Sequence, residues 1–373
     1  MVYVDFLREM MNKKSESKIL IWGSYYNAIT VSLHFKSELC LFVDSSRLLV
    51  KKDSFIQCDK ILTSVMALLN EFKDQNIYVI PCSDSWAEIL ALCIENFPEM
   101  KFLLSKNFSI LSEKPYQKTL SDSVGGFYPK SVLLNQYVEG ELSYPIIIKP
   151  IETETIPGTR KKNIIINDAD EYQEVNLHYS NLFDQLLASE IVLSAIDGIY
   201  SFACLKLNGK ILNPWTGKKN IQYPNAFGVF ASAETIEDPE LYDKGLALAN
   251  EVDYEGFIQP EFKKCLQTGE YMLMEINFRP MMWHATVLLN GVNIYDGFVP
   301  KSLLSEEKFA FSKLMFLPHV LFLLVFGTKI ERKIAWGVIN GNYNDISFNS
   351  ADKFLYIKNL IKVVISGVIK KVS

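Results

Sequence analysis

Three short apolar runs constrain the fold most. Lys18-Ile-Leu-Ile-Trp22 stops at Gly23, Leu39–Val43 stops at Asp44, and Ile77–Ile80 stops at Pro81, just ahead of Asp84. A helical pattern follows the first run, and a helix-like stretch to about Asn96 follows the third. Strands that are apolar at every position, rather than at alternate ones, are buried on both faces. Alternating with helices, they imply a parallel α/β sheet. Gly23 alone does not make the G-x-G-x-x-G phosphate loop, so a dinucleotide fingerprint is not expected here.

The pattern changes in the middle of the chain. Cys204–Leu207 and Lys210–Leu212 flank Asn208-Gly209, a type I′ turn signal, and Phe257–Phe262 and Tyr271–Asn277 flank Thr268-Gly269. These hairpins predict antiparallel α+β architecture. Beyond Gly297 the chain reads as helical and apolar, with 11 apolar residues among the 13 of Leu314–Phe326. A length of 373 residues suggests two to three domains.

Charge and processing signals narrow the class. The net charge of −5 offers no support for nucleic-acid binding. Residues 1–14 carry charges where a signal peptide needs an apolar run. The six cysteines form no C-x-x-C pair and read as reduced thiols. The four histidines are too scattered for a zinc site. A cytoplasmic location is expected. No apolar stretch reaches the ~18 residues of a membrane helix. The mean hydropathy is nevertheless +0.09, and much of the excess lies beyond residue 310. Two readings of the C-terminal segment are open. Either its helices pack on the body, or they touch a membrane peripherally with the help of Lys358, Lys362, Lys370 and Lys371.

Tyr271-Met-Leu-Met-Glu275-Ile-Asn277 places Glu275 and Asn277 on one strand face, opposite Met274 and Ile276. Pairing through the 268–269 turn brings Glu261 near both. Hard oxygen ligands of this kind suit Mg²⁺, which takes one or two carboxylates plus phosphates and waters; a solvated strand face is the alternative. Pro260 beside Glu261 lacks a ladder donor, which predicts an edge or a bulge. Arg279 is spaced either to clamp phosphate or carboxylate oxygens or to pair with Glu275.

Two lysines stand out. Lys149 closes the apolar run Tyr144–Ile148 before Pro150, where a desolvated ammonium calls for an anion. Lys114 opens a helix-like segment to Ser123. The Thr-rich stretch Ile151–Lys162, with Pro157, Gly158 and Arg160, reads as a loop able to cover phosphates.

The order of these features resembles the ATP-grasp superfamily. The stretch Tyr-Glu-Gly-Phe-Ile-Gln-Pro-Glu-Phe-Lys…Thr-Gly-Glu-Tyr-Met-Leu-Met-Glu-Ile-Asn-Phe-Arg (254–279) looks like its metal-binding core. Ser189-Glu190-Ile191-Val192 resembles the adenine hinge, although Leu193-Ser194 stand where Pro-Gly is usual. Gly217-Lys218-Lys219-Asn220-Ile221-Gln222-Tyr223-Pro224…Gly228 is similar to a segment of carboxylate–amine ligases of the D-aspartate ligase type.

The resemblance, over about residues 18–300, implies an ATP-grasp fold of mixed α/β and α+β class. It implies an N-terminal Rossmann-like pre-ATP-grasp domain (1–113), a small lobe (114–188), a large lobe with the metal site (189–300) and a hydrophobic helical C-terminal segment (301–373). It implies that Glu261, Glu275 and Asn277 hold Mg²⁺, or Mn²⁺, on ATP. Lys114, Lys149 and Arg160 would meet the phosphates; Glu190, Ile191 and Val192 the adenine; Asp197 the ribose. Arg279 would stabilise the transferring phosphoryl group or an acyl phosphate, helped by Lys218. The implied reaction joins an amine to a carboxylate, such as that of a cell-surface glycan or peptide precursor; peripheral contact of the C-terminal segment would put the enzyme at the inner face of the membrane. Alternatives are the same fold with a thiol or bicarbonate acceptor, or a non-catalytic nucleotide-binding scaffold. His284, just after the core, reads as structural, with contact to the amine substrate as the alternative, and the oligomeric state is left open.

Overall fold

The computed structural model describes residues 17–152, 155–159, 161–195, 198–223, 229–290, 293–306, 313–345 and 352–372. The three apolar runs form neighbouring strands. β1 (Lys18–Trp22), β2 (Cys40–Asp44), β3 (Phe55–Gln57), β4 (Ile77–Pro81) and β5 (Lys101–Phe102) make a parallel sheet in the order β3-β2-β1-β4-β5. Leu20 and Trp22 enter one core, and Ile19 and Ile21 enter another on the opposite face. Both faces are therefore covered, as continuous apolar strands require. Helices α1 (Tyr26–Ser32), α2 (Leu62–Glu71), α3 (Asp84–Ala91) and α4 (Phe108–Ser112) accompany this sheet. Ser83 caps α3 by accepting the Trp86 N–H.

Helix α5 (Lys114–Ser123), started by Pro115, leads into a small lobe. There β6 (Ser131–Leu133), β7 (Ile146–Pro150), β8 (Ile164–Ile166) and β9 (Leu186–Glu190) pair antiparallel in the order β6-β9-β7-β8, with α6 (Ala169–Tyr179) alongside. This lobe closes its own core around Ile146, Ile148, Ile166 and Leu186.

The chain then crosses Ile191–Ala195 without regular structure into the large sheet. It comprises β10 (Ile199–Leu207), β11 (Lys210–Tyr223), β12 (Val229–Ile236), β13 (Gly256–Lys264), β14 (Tyr271–Asn277) and β15 (Lys313–Met315), in the order β14-β13-β10-β11-β12-β15. The Asn208-Gly209 turn has φ of 51° and 71°, as a type I′ turn demands. The Glu255 carboxylate accepts both of its N–H groups. β13 lies inside the sheet, and the irregularity expected at Pro260 is a register shift between Glu261 and Phe262. Helix α7 (Pro239–Glu251) packs on one face. Its last carbonyls are bound by the buried Lys206 ammonium, which donates to Ala249, Asn250 and Val252 at 2.7–3.0 Å.

The dense apolar stretch Leu314–Phe326 is split. Lys313–Met315 becomes strand β15, and the rest becomes α8 (Leu317–Phe326), which buries Pro318, His319, Val320 and Leu323. With α9 (Lys329–Asn340) it packs on Ile221 and Ala231 of the large sheet. α10 (Lys353–Val372) turns back onto α1.

Candidate active site

The site lies on the face of the large sheet opposite α7. The β13–β14 register sets Glu261 opposite Glu275 and Gln259 opposite Asn277. Glu261 and Asn277 are each 8 % exposed, whereas Glu275 is open to solvent. The Asn277 amide donates to a Glu275 oxygen at 3.3 Å. Two carboxylates and one amide oxygen thus converge, as the sequence pattern implies. Among the described residues no group of three or more His, Cys, Asp or Glu side chains is arranged to hold a metal. Mg²⁺ needs only one or two carboxylates when phosphates and waters complete its shell, so the donor set fits that cation.

β14 is the sheet edge and needs a partner on its outer side. Gln117 of α5, 2 % exposed, supplies it: its amide accepts the Ile276 N–H at 2.8 Å and donates to the Ile276 carbonyl at 3.0 Å. The helix that begins with Lys114 is thereby fixed beside the strand that carries Glu275 and Asn277.

Three lysines gather at the carboxylates: Lys114 and Lys149 from outside the large sheet, and Lys263 two residues beyond Glu261 on β13. Lys114 donates to the Ile151 carbonyl at 3.4 Å, and burial lowers its pKa against the pull of Glu275 and Asp84. Lys149, opposite Leu187 in the small lobe, is pushed down to about 8 by burial and by the positive charges of Lys114 and Lys263, with Glu275 opposing. Lys263 is lowered by burial, with Glu261 opposing. Half-buried ammoniums that repel one another form a cradle for a polyanion, and a triphosphate meets that need.

A fourth lysine was not anticipated. Lys219 forms a buried ion pair with Glu261. Burial raises the Glu261 pKa, Glu275 adds to this, and Lys219 and Lys263 only partly offset it. The helper expected at Lys218 points the other way, its ammonium 5.5 Å from the Tyr200 ring centre. Lys218 pairs with Tyr200, and Lys219 pairs with Ile199 one step further on. Strand alternation therefore sends the two lysines to opposite faces. Gly217 lies beneath Trp283; a Cβ there would sit 2.3 Å from the indole.

Arg279 meets the N-terminal domain. Its guanidinium makes two 2.7 Å hydrogen bonds to Asp84 in the first turn of α3, rather than an ion pair with Glu275. Burial alone would raise the Asp84 pKa, but Arg279, a backbone N–H and Lys162 outweigh it and hold the carboxyl below its usual range. His284 is structural, as expected: it is 1 % exposed, accepts the Met281 N–H at 3.1 Å and contacts Gln259 at 2.8 Å.

Glu190 ends β9, with its N–H bound to the Lys130 carbonyl at 3.0 Å, and Ile191 and Val192 begin the crossing to the large sheet. Arg160, Asp197, Pro224 and Gly228 lie outside the described residues. The Gly-Lys-Lys motif signals that one lysine of the adjacent pair faces inward, but the register against β10 decides that it is Lys219. Gln117 and Asp84 carry no local signal, since each meets the site across more than 150 residues of sequence.

No family model matches the chain. It is 23 % identical over 257 residues to the D-aspartate ligase of Enterococcus faecium (strain Aus0004), covering 60 % of this chain. The chain spans 58 % of that relative's length. Among solved structures it is similar to the biotin carboxylase domain of Hydrogenobacter thermophilus 2-oxoglutarate carboxylase, in complex with MgADP, ADP and bicarbonate. That likeness has a TM-score of 0.56 and 16 % identity, over 79 % of this chain and 71 % of the other. It is also similar to the L-amino acid ligase of Bacillus licheniformis, with a TM-score of 0.52 and 13 % identity, over 75 % of this chain and 72 % of the other. With its N-terminal parallel sheet, two antiparallel lobes and lysine-faced carboxylate pair, this chain has the ATP-grasp fold.

Proposed function

We propose that the chain is an ATP- and Mg²⁺-dependent carboxylate–amine ligase that forms an amide through an acyl phosphate, releasing ADP and phosphate. The observation that carries this reading is the facing of Glu261, Glu275 and Asn277 by Lys114, Lys149 and Lys263, drawn from both lobes. The likeness to D-aspartate ligase supports an amine acceptor.

A carboxylate does not condense with an amine in neutral water, because its leaving group is poor. Phosphorylation provides one, and the protein's part is positioning and charge neutralisation. Glu261, Glu275 and Asn277 would hold Mg²⁺, with Mn²⁺ as a substitute; when bound, the cation offsets phosphate charge. Lys114 and Lys149 hold the triphosphate, and the loop bearing Arg160 excludes water. Glu190, Ile191 and Val192 bind adenine, and Asp197 the ribose. Arg279, oriented by Asp84, steadies the transferring phosphoryl group, with Lys219 acting at the acidic pair where Lys218 was expected. The four-part division at 113, 188 and 300 follows this reading. So do small carboxylate and amine substrates, glycan- or peptide-linked, and a cytoplasmic location at the inner face of the membrane.

The test is ADP release across pairs of amino acids and carboxylates, uronic acids included. Activity with one pair, abolished in Glu275→Gln, is expected. No ADP with any pair would favour a nucleotide-binding scaffold, and ADP release surviving in Glu275→Gln would remove the metal assignment.

A further inference from the structure

Among its described residues, helix α10 is attached through the face that carries Tyr356 and Asn359. Tyr356 is 1 % exposed, with its ring 6.5 Å from that of Tyr26. Asn359 donates to the hydroxyls of Tyr25 and Tyr26 at 3.3 and 2.9 Å. Asp352, just before the helix, pairs with Arg47 at 3.2 Å. The opposite face carries Phe354, Ile357, Ile361 and Ile365, 49–75 % exposed. At about 100° per residue these four fall within an arc of about 80°. The exposed Lys358 and Lys362 border that stripe.

The charge of the segment is one-sided. Residues 353–372 contain five lysines and no acidic residue, in a chain whose net charge is −5. On α9, Ile330 and Trp336 are each 59 % exposed, beside exposed Lys329, Arg332 and Lys333. The acidic residue of α9, Glu331, is buried in the capping box with Thr328. Both helices pack on α8. Among the described residues no helix is long and apolar enough to cross a membrane.

We propose that the outward faces of α9 and α10 dock this protein on an anionic lipid bilayer, the helices lying in the headgroup layer. The apolar stripe alone would also suit a second copy of the chain. The lysines decide between the two, because a two-fold dimer through this face would bring like charges together, whereas anionic headgroups neutralise them. The lysine stems can lie along the apolar boundary while their ammoniums reach the phosphates. A tryptophan at the rim suits the same interface.

The full-length protein is floated with vesicles of phosphatidylcholine alone and of phosphatidylcholine with phosphatidylglycerol, while its tryptophan emission is recorded. Trp22, Trp86, Trp215 and Trp283 are buried, so a vesicle-induced shift reports Trp336. Binding to the anionic vesicles only, weakened by salt and accompanied by a blue shift, is expected. Lys358→Glu/Lys362→Glu and Ile357→Glu/Ile361→Glu should each lose at least tenfold in partitioning. Their melting temperatures should be unchanged, because these side chains face solvent. Trp336→Phe should bind without the blue shift. Equal binding to both vesicle types, wild-type binding by the variants, or absence of binding overturns the proposal. A dimer in sedimentation that Ile357→Glu/Ile361→Glu dissolves, without vesicle binding, assigns the face to a second copy instead.

Discussion

Gln117 and Ile276 share two hydrogen bonds, side-chain amide to backbone, at 2.8 and 3.0 Å. Through them a helix acts as the missing neighbour of a sheet edge, holding Lys114 against the strand that bears Glu275 and Asn277. Gln117→Leu leaves a buried N–H and a buried carbonyl unpaired. Stability should fall by roughly 2–4 kcal/mol in denaturant titration. The thermal shift produced by MgATP should fall too, since the freed backbone lies between Glu275 and Asn277, two of the proposed cation ligands. A variant as stable as wild type would show that the edge strand needs no such partner.

Lys149 predicts a pH signature. Its folded pKa is about 8, against an ordinary value of 10.5. Between those values the unfolded chain binds a proton that the folded one does not, so this group makes stability rise with pH through that window. Below pH 8 its cost is fully present and constant. A bound triphosphate stabilises the ammonium, so nucleotide binding near pH 9 should take up a proton, and affinity should weaken as pH rises above 8. Calorimetry in buffers of different ionisation enthalpy measures that uptake; Lys149→Met should reduce it, leaving what Lys114 and Lys263 contribute.

Lys219 and Lys218 should separate cleanly. Removing Lys219 strands the buried Glu261 carboxylate, and Lys219→Met should cost about 3 kcal/mol. Lys218→Met removes an ammonium that lies over Tyr200, away from Glu261, and should cost less than Lys219→Met. Mg²⁺ can replace the lost positive charge at Glu261. The melting temperature of Lys219→Met should therefore rise more with added MgCl₂ than that of wild type. An equal response would place the cation elsewhere.

Asp84 is expected to act through Arg279. Asp84→Asn removes the charge that orients the guanidinium and should cost roughly 1.5–3 kcal/mol near neutral pH. Because the Asp84 pKa is depressed in the fold, its contribution is present above the ordinary carboxylate range and is lost as pH falls through the folded value. The stability gap between Asp84→Asn and wild type should therefore close in acid. With substrates of the proposed ligase reaction identified, kcat should drop while KM for ATP changes less, the pattern expected if Asp84 positions the group proposed to act on the transferring phosphoryl.

The amino-acid order by itself determined what is local. Continuous apolar runs required strands covered on both faces, Asn208-Gly209 required a tight hairpin, and period-two spacing put Glu275 and Asn277 on one face. The ATP-grasp resemblance and the lysines at 114 and 149 were visible for the same reason, each resting on a few contiguous residues. Tertiary structure decided the partners. Which of two adjacent lysines faces Glu261 depended on register against β10. That Arg279 binds Asp84 depended on the N-terminal parallel sheet and the large sheet meeting. That Gln117 completes a sheet depended on a helix arriving at its edge. The apolar surplus was legible as composition, but which side chains of these stretches are buried, as Val320, Leu323 and Tyr356 are, and which are exposed, as Phe354, Ile357 and Ile361 are, was not. A side chain's partner across a sheet or between domains is set by the path of the chain between them, and no short window of sequence contains that path.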